Sequence, residues 1–154
     1  MRRKSQNSRN FIYTLLLEIE SFKTSQKYII VNTHLHWNPN EEDVKEFQTI
    51  QLIKYLESQY EKNEEIIICG DFNSLPDSNQ IQFITKKNFV GDKKDKIWLK
   101  CGVKTKKLRF ESSYGKYRQK NKEYLHPSFT NLTPNFTGTI DYIFYNKRSR
   151  LELS

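Results

Sequence analysis

An apolar run in this chain stops abruptly at an acid and an amide that stand two residues apart. The run is Ile66 to Cys69, and the polar residues after Gly70 are Asp71 and Asn73. Side chains two positions apart in a β-strand point to the same side, so this spacing predicts a carboxylate and a carboxamide aimed at one point. An acid that can take a proton beside an amide that can orient an anion suits phosphate-ester hydrolysis. Asp-x-Asn alone does not settle the matter, because both residues also form turns.

Two other segments combine an apolar strand with a polar side chain that could take part in phosphate-ester hydrolysis. His34 follows the apolar residues of the segment 28–34, and its imidazole can donate to a phosphate oxygen. Asp141 lies within the segment 140–145, among large apolar residues, where a buried carboxylate requires a partner. Three segments thus carry groups that could serve one site.

The ordered motifs in residues 32–39, 69–78 and 129–142 carry a family resemblance. They read Asn-Thr-His-Leu-His-Trp-Asn-Pro, Cys-Gly-Asp-Phe-Asn-Ser-Leu-Pro-Asp-Ser and Phe-Thr-Asn-Leu-Thr-Pro-Asn-Phe-Thr-Gly-Thr-Ile-Asp-Tyr. Through them the chain resembles the endonuclease/exonuclease/phosphatase superfamily, and within it the CCR4-type poly(A) deadenylases. The resemblance implies part of a two-sheet α/β sandwich with its site where loops converge at a sheet edge.

The resemblance also implies a role for each polar residue. It makes His34 a phosphate ligand that stabilises developing charge, and Asp71 the group that activates the attacking water. Asn73 then holds the phosphate or the water, and Asp141 holds a histidine of a later segment.

The substrate residues are implied in the same way. Pro39 and Phe136 match positions that flank the terminal adenine in deadenylases, although Pro39 also suits a helix start and Phe136 a core position. The implied activity is a Mg²⁺-dependent 3′-to-5′ exoribonuclease that releases AMP from the poly(A) 3′ end of RNA. The implied setting is a deadenylase complex in the cytoplasm, and the nucleus is a possible additional location.

Two parts of the family pattern have no match here. We find neither the early Asn-x-x-Glu-type strand that supplies the metal-binding Glu nor the final Ser-Asp-His, so the principal metal ligand is unknown. We therefore expect an incomplete domain over residues 11–154 that is inactive by itself. Two alternatives remain: another phosphoesterase, either a phosphatase or a DNA nuclease, or a non-catalytic remnant that binds RNA or protein.

The elements that must position these residues follow an α/β order. The pattern predicts strands over residues 11–20 and 28–34 as a hairpin, then a helix from Pro39 or Asn40 to about Tyr60. A short strand over 66–69, apolar enough for burial on both faces, precedes a short helix capped by Asp77 or Ser78. Residues 91–107 and 114–124 read as basic loops, and 140–145 as a last strand.

Composition narrows the possible partners. The 154 residues carry a net charge of +8, compatible with a polyanion but also with an ordinary Lys-rich surface. Two cysteines give neither a disulfide framework nor a metal-binding spacing. We expect residues 1–10 to form a disordered basic tail, and neither a signal peptide nor a membrane span is predicted.

Overall fold

The structure, a computed structural model, describes residues 13–86, 89, 101, 107–116 and 127–149. The predicted tail over 1–10 and most of the predicted basic loops lie outside these residues. No described helix is both long and apolar enough to cross a membrane.

Two strands open the described chain as an antiparallel hairpin. Strand β1 runs from Tyr13–Glu20 and strand β2 from Lys27–His34, with Tyr13 opposite His34 and Glu20 opposite Lys27. The predicted hairpin is confirmed. Its last residue, His34, lies at the carboxyl end of β2.

A long helix, α1, spans Glu42–Gln59 and confirms the predicted one. Its later turns bury Ile50, Ile53 and Leu56, as the apolar spacing indicates. Its first turns bury polar side chains instead, which the spacing did not predict: Lys45, Glu46, Gln48 and Thr49.

Strand β3 is Ile66–Asp71, β4 is Phe110–Ser112 and β7 is Asp141–Asn146. With β1 and β2 they form one mixed sheet of five strands, in the order β1-β2-β3-β7-β4. Strands β2 and β3 are parallel, joined by the crossover through α1, and the other pairs are antiparallel. The α/β class is therefore confirmed.

The remaining elements are short. Helix α2 spans Asn79–Thr85 after Ser78, and a 3-10 turn covers Ser113–Lys116. Strands β5, Asn131–Thr133, and β6, Phe136–Gly138, pair as a separate two-stranded sheet. The sequence patterns predicted α2 but neither this small sheet nor β4.

The core lies between one face of the large sheet and the helices. Ile66, Ile68 and Phe144 are fully buried there against residues such as Ile53 and Leu56. The opposite face of β3 is different, because Ile67 and Cys69 are only partly buried. The prediction that β3 is buried on both faces is wrong, since the helices cover only one.

Candidate functional site

The parallel pairing of β2 and β3 places two predicted site residues side by side. His34 and Asp71 are the last residues of their strands and are register partners. The Nε2 atom of His34 lies 3.8 Å from Oδ2 of Asp71, with the two side chains 63% and 30% exposed. Parallel strands end at a common sheet edge, so the topology itself brings these groups together.

The two oxygens of Asp71 have different surroundings. Oδ1 accepts a hydrogen bond of 2.8 Å from the backbone N–H of Asn73, whereas Oδ2 faces His34. Burial raises the pKa of the Asp71 carboxyl, and the charge of Asp141 raises it further; the Asn73 hydrogen bond and His34 act in the opposite direction. Asp71 is thus a stronger base than an ordinary aspartate.

Asp141 completes a row of polar groups. It is the register partner of Asp71 on β7, so His34, Asp71 and Asp141 lie on three adjacent strands at one level. We call these three residues the polar row. The hydroxyl of Thr130 accepts bonds of 3.0 Å from the backbone N–H groups of Ile140 and Asp141, fixing the start of β7.

Asn73 reaches the site from a turn rather than from the strand. Strand β3 ends at Asp71, and Asn73 has a φ of 45°, in the left-handed region that Asn tolerates better than most residues. Strand alternation therefore does not explain its direction, and that part of the prediction is wrong. Its Nδ2 donates to the carbonyl oxygen of Leu35 at 3.0 Å, which holds the carboxamide beside the end of β2.

A buried lysine supports this turn. Lys45 of α1 is only 2% exposed, and its Nζ donates to the carbonyl oxygen of Asn73 at 2.9 Å while pairing with Glu42. Lys45 was not among the predicted site residues. A lysine beside Glu42 in the first turns of a helix resembles a solvated surface residue, and only the fold shows that this one is buried.

The residues on either side of Asp71 fix the position of the strand end. Phe72 is fully buried and makes edge contacts with Tyr142 and Phe144, at ring-centroid distances of 5.7 and 5.2 Å. Gly70 has a φ of 136°, and a Cβ there would lie 1.9 Å from the carbonyl oxygen of Thr33. Only glycine fits this close approach of β2 and β3.

The two predicted base-stacking residues both retain accessible surface. Phe136 is 39% exposed, and its ring lies over Gly138 together with Leu75, since a Cβ on Gly138 would meet both side chains. Pro39 is exposed in the loop before α1. Both positions remain predictions.

The predicted metal ion can be tested against the donors present. Asp71 and Asp141 offer the hard oxygen ligands that Mg²⁺ prefers. However, within the described ranges no group of three or more His, Cys, Asp or Glu side chains is placed to hold a metal ion. The described donors therefore do not form a complete Mg²⁺ site.

Comparison with known families gives one match that spans nearly the whole chain. Residues 5–153 match the family described as "Endonuclease/Exonuclease/phosphatase family". This match includes all three segments that carry the polar row.

Curated relatives of this chain are named as subunits of the CCR4-Not complex. The chain is 32% identical to the "CCR4-Not complex 3'-5'-exoribonuclease subunit Ccr4" of Kluyveromyces lactis over 88% of its own length and 18% of that subunit. It is 37% identical to the probable Ccr4 subunit of Vairimorpha ceranae over 86% of its length and 26% of that protein. The chain thus spans about a fifth to a quarter of these relatives.

Solved structures share the fold. The 2′,3′-cyclic phosphatase ANGEL2, in complex with adenosine-2′,3′-vanadate, matches with a TM-score of 0.61 and 21% identity, over 86% of this chain and 49% of that one. The human Nocturnin catalytic domain with bound sulfate matches with a TM-score of 0.57 and 20% identity, over 87% and 41%. Each solved chain is therefore about twice as long as the region shared with this one.

Proposed function

Since the chain belongs to the Endonuclease/Exonuclease/phosphatase family, we propose that it supplies the phosphate-binding and water-activating part of a phosphodiesterase that shortens RNA from its 3′ end. The observation that carries the proposal is the pairing of His34 with Asp71 at the edge of the sheet. Identity of 32–37% to subunits named as 3'-5'-exoribonucleases supports RNA as the substrate. The choice of a poly(A) tail comes from the resemblance to CCR4-type deadenylases. The complete reaction requires further groups in addition to His34 and Asp71.

Asp71 is the proposed general base. Oδ1 is engaged by the Asn73 N–H, so Oδ2 is the atom left to take a proton from the attacking water. Its raised pKa favours proton acceptance, because basicity grows with the pKa of the conjugate acid. Asp141 contributes by keeping negative charge close to Asp71.

Asn73 can contact either the phosphate or the water. Its Nδ2 donates one N–H to the Leu35 carbonyl, which fixes the carboxamide. The second N–H of Nδ2 is left to donate to a phosphate oxygen, and Oδ1 is left to accept from the attacking water. We therefore keep both roles that the resemblance allows.

His34 is proposed to bind the scissile phosphate. Its side chain is 63% exposed at the open end of the polar row, and its Nε2 faces the same space as Oδ2 of Asp71. An imidazole N–H there can donate to a non-bridging oxygen and gain strength as charge develops. The 3.8 Å between the two atoms exceeds a direct hydrogen bond, so both remain available to a ligand.

Mg²⁺ and AMP release complete the proposal. A divalent ion would neutralise the phosphate and lower the pKa of bound water, with Asp71 and Asp141 as two of its candidate oxygen ligands. Because the donor set among the described residues is incomplete, further ligands would lie outside those residues. A CCR4-Not-type complex is the proposed setting, from the names of the relatives. The cytoplasm is the compartment that the family resemblance implies.

Ligand titration of the whole chain tests the site without requiring turnover. We expect 5′-AMP with Mg²⁺ to shift the NMR signals of His34, Asn73 and residues near Phe136, and inorganic phosphate to shift only the first two. Asp71→Asn should weaken the AMP response, whereas Asp77→Asn, an exposed position on the adjacent loop, should not. Shifts confined to surface lysines would contradict the proposed site.

Turnover requires a longer protein. A chimera of the Vairimorpha ceranae subunit, with its matched region replaced by residues 5–153 of this chain, should degrade oligo(A) faster than oligo(U) or single-stranded DNA. Equal cleavage of DNA, or preference for a small phosphate monoester, would favour the alternative phosphoesterase. An inactive chimera that still binds RNA would favour the non-catalytic module.

A further inference from the structure

A tryptophan at the sheet edge that carries the polar row is largely exposed to solvent. Trp37 lies in the loop between β2 and α1 and is 71% exposed. Tryptophan is highly buried on average, so an indole in water at this position is not explained by core packing. Leu75 and Phe136, whose side chains both lie beside Gly138, are also exposed in segments that follow β3 and precede β7. Accessible apolar side chains therefore surround the polar row.

The loop that presents Trp37 is anchored on both sides of it. The backbone N–H of His36 donates to Oε1 of Gln48 at 2.9 Å, and Gln48 is buried on α1. Nε2 of His36 lies 2.7 Å from Oε2 of Glu41. After Trp37, the carbonyl oxygen of Asn38 accepts a hydrogen bond of 3.2 Å from the backbone N–H of Glu41. A ring on an anchored loop loses little freedom when a ligand stacks on it, so binding costs less entropy.

Trp37 is also close to the polar row along the chain. Leu35 ties the start of the loop to the row, since its N–H donates to the Asp71 carbonyl at 2.9 Å and its own carbonyl accepts from Asn73. Trp37 is three residues beyond His34, and three residues span at most about 10–11 Å. A stacked nucleic-acid strand advances about 3.4 Å per base. One strand with a phosphate at His34 can therefore place a neighbouring base at Trp37.

The charges near this loop favour a base over a phosphate as the group that contacts the indole. Three acids, Glu41, Glu42 and Asp43, stand at the start of α1. They would repel a phosphate held against Trp37, whereas an uncharged base can stack on the ring. Stacking on aromatic side chains is a general way in which proteins hold single strands.

We propose that Trp37 stacks on a base of the RNA on the 5′ side of the nucleotide that is released. This inference rests on the proposed function, because it needs the scissile phosphate at the polar row. Pro39 and Phe136 remain the predicted pair for the terminal adenine, so Trp37 is assigned to the part of the RNA that is retained after cleavage. An oligonucleotide therefore contacts the Trp37 ring, and a mononucleotide does not.

The fluorescence of Trp37 tests this contact directly. The chain has two tryptophans, and Trp98→Phe leaves Trp37 as its single indole. A base stacked on an indole quenches its emission. We expect a short oligo(A) with Mg²⁺ to quench Trp37 saturably, and 5′-AMP at the same nucleotide concentration to have a much smaller effect.

A displaced indole controls for non-specific stacking. Phe22 lies in the turn between β1 and β2, at the end of the hairpin remote from His34, and is fully exposed. Phe22→Trp, made together with Trp37→Phe and Trp98→Phe, places a single indole there. Oligo(A) should not quench its emission saturably.

Binding by variants of the whole chain gives a second measurement. Trp37→Ala should weaken the affinity for labelled oligo(A), measured by fluorescence anisotropy, by at least about fivefold, the factor for the weakest expected stacked base. Trp37→Tyr should recover most of the affinity because it restores a ring. The affinity for 5′-AMP should be the same in both variants and in the wild type. Phe22→Ala should change neither affinity.

The outcomes separate this inference from the proposed function. If AMP shifts the signals of His34 and Asn73 but oligo(A) does not quench Trp37, the inference is overturned and the proposed function stands. If AMP produces no response at those residues, the proposed function is contradicted, and absence of quenching overturns the inference in that case too. Equal quenching by AMP and oligo(A) would assign Trp37 to the terminal base and overturn the inference. So would a short-wavelength emission of Trp37 in the chimera that oligo(A) leaves unchanged, because another part of the protein would then cover the ring.

Discussion

His34 and Asp71 face each other across two parallel strands, with Nε2 and Oδ2 3.8 Å apart. The distance is too long for a strong hydrogen bond and short enough for one ligand to touch both atoms. If this pair served only to stabilise the fold, the carboxylate and the imidazole would be expected to lie within hydrogen-bonding distance of each other. Both side chains are instead partly exposed and do not form a direct hydrogen bond, which suits a site where a ligand binds between them.

The ionised carboxylate of Asp71 should lower the free energy of unfolding at neutral pH. Its ordinary pKa is 3.8, and burial raises the pKa in the folded state, so the folded protein holds this proton more tightly than the unfolded chain does. The stability from this group is present at low pH and is lost as pH rises through the folded pKa. Asp71→Asn should therefore be more stable than wild type at pH 7, on the order of 0.5–1 kcal/mol.

Urea denaturation at pH 7 and pH 4 measures that effect. The advantage of Asp71→Asn should shrink at pH 4, because a larger fraction of wild-type Asp71 is protonated there than at pH 7. The Asn side chain keeps an oxygen for the Asn73 N–H, so this bond is common to both proteins. Asp77→Asn on the exposed loop serves as the control; a less stable Asp71→Asn at pH 7 would contradict the prediction.

Gly70→Ala should be strongly destabilising. Its φ of 136° disfavours any side chain, and the new Cβ would overlap the backbone oxygen of Thr33 at 1.9 Å. A loss of about 2–4 kcal/mol in unfolding free energy is expected. Gly138→Ala is the matched comparison, since its Cβ would meet only the side chains of Phe136 and Leu75, which can move. Equal losses at the two glycines would contradict this account.

Lys45→Met should loosen the Asn73 turn. It removes the donor to the Asn73 carbonyl and should cost about 1–3 kcal/mol, because that oxygen loses its partner in a partly buried place. Hydrogen exchange at the Asn73 amide should become faster in native conditions. Lys62→Met, at an exposed position, should change neither quantity. If the Asn73 amide exchanged at the same rate in Lys45→Met as in the wild type, the proposed role of Lys45 in holding the Asn73 turn would be contradicted.

The chain by itself should not hydrolyse RNA appreciably. Two carboxylates in the polar row, without a complete ligand group among the described residues, should hold Mg²⁺ too weakly for phosphoryl transfer to water. Purified protein with labelled oligo(A) and Mg²⁺ provides the measurement. Turnover that Asp71→Ala abolishes would show that the present ligands suffice.

Phe136→Ala should weaken oligo(A) cleavage in the chimera described above. Stacking of one base on an aromatic ring contributes about 1–3 kcal/mol, and Phe136 is 39% exposed. Mg²⁺ dependence should stay the same because the ring ligates nothing. Kinetics on oligo(A) and oligo(U) that match those of the parent chimera would make Phe136 a packing residue only.

The sequence predicted the elements whose signals are local. The hairpin, helix α1 and strand β7 follow from alternation and three-to-four spacing, and their observed bounds agree closely. The short strands β4, β5 and β6 were not predicted, because three residues contain too little pattern to separate a strand from a loop.

The site residues at the ends of strands could be predicted from the sequence. The geometry of the turn beside them, and the buried lysine that holds that turn, could not. His34 and Asp71 end apolar strands, so their convergence follows from parallel pairing. Asn73 depends on a left-handed turn, and Lys45 on burial of the first turns of α1, and neither leaves a periodic signal. Burial of a lysine is decided by tertiary packing rather than by its neighbours in sequence.

The crossover through α1 makes the site a late event in folding. Strands β1 and β2 can pair as soon as their turn closes, whereas β3 reaches β2 only after the chain has passed through α1. Pairing of distant segments carries a larger loop-closure cost than a hairpin does, so it follows local structure. Proximity of His34 to Asp71 therefore reports the pairing of β2 with β3, and a probe on that pair would time a step that follows closure of the hairpin.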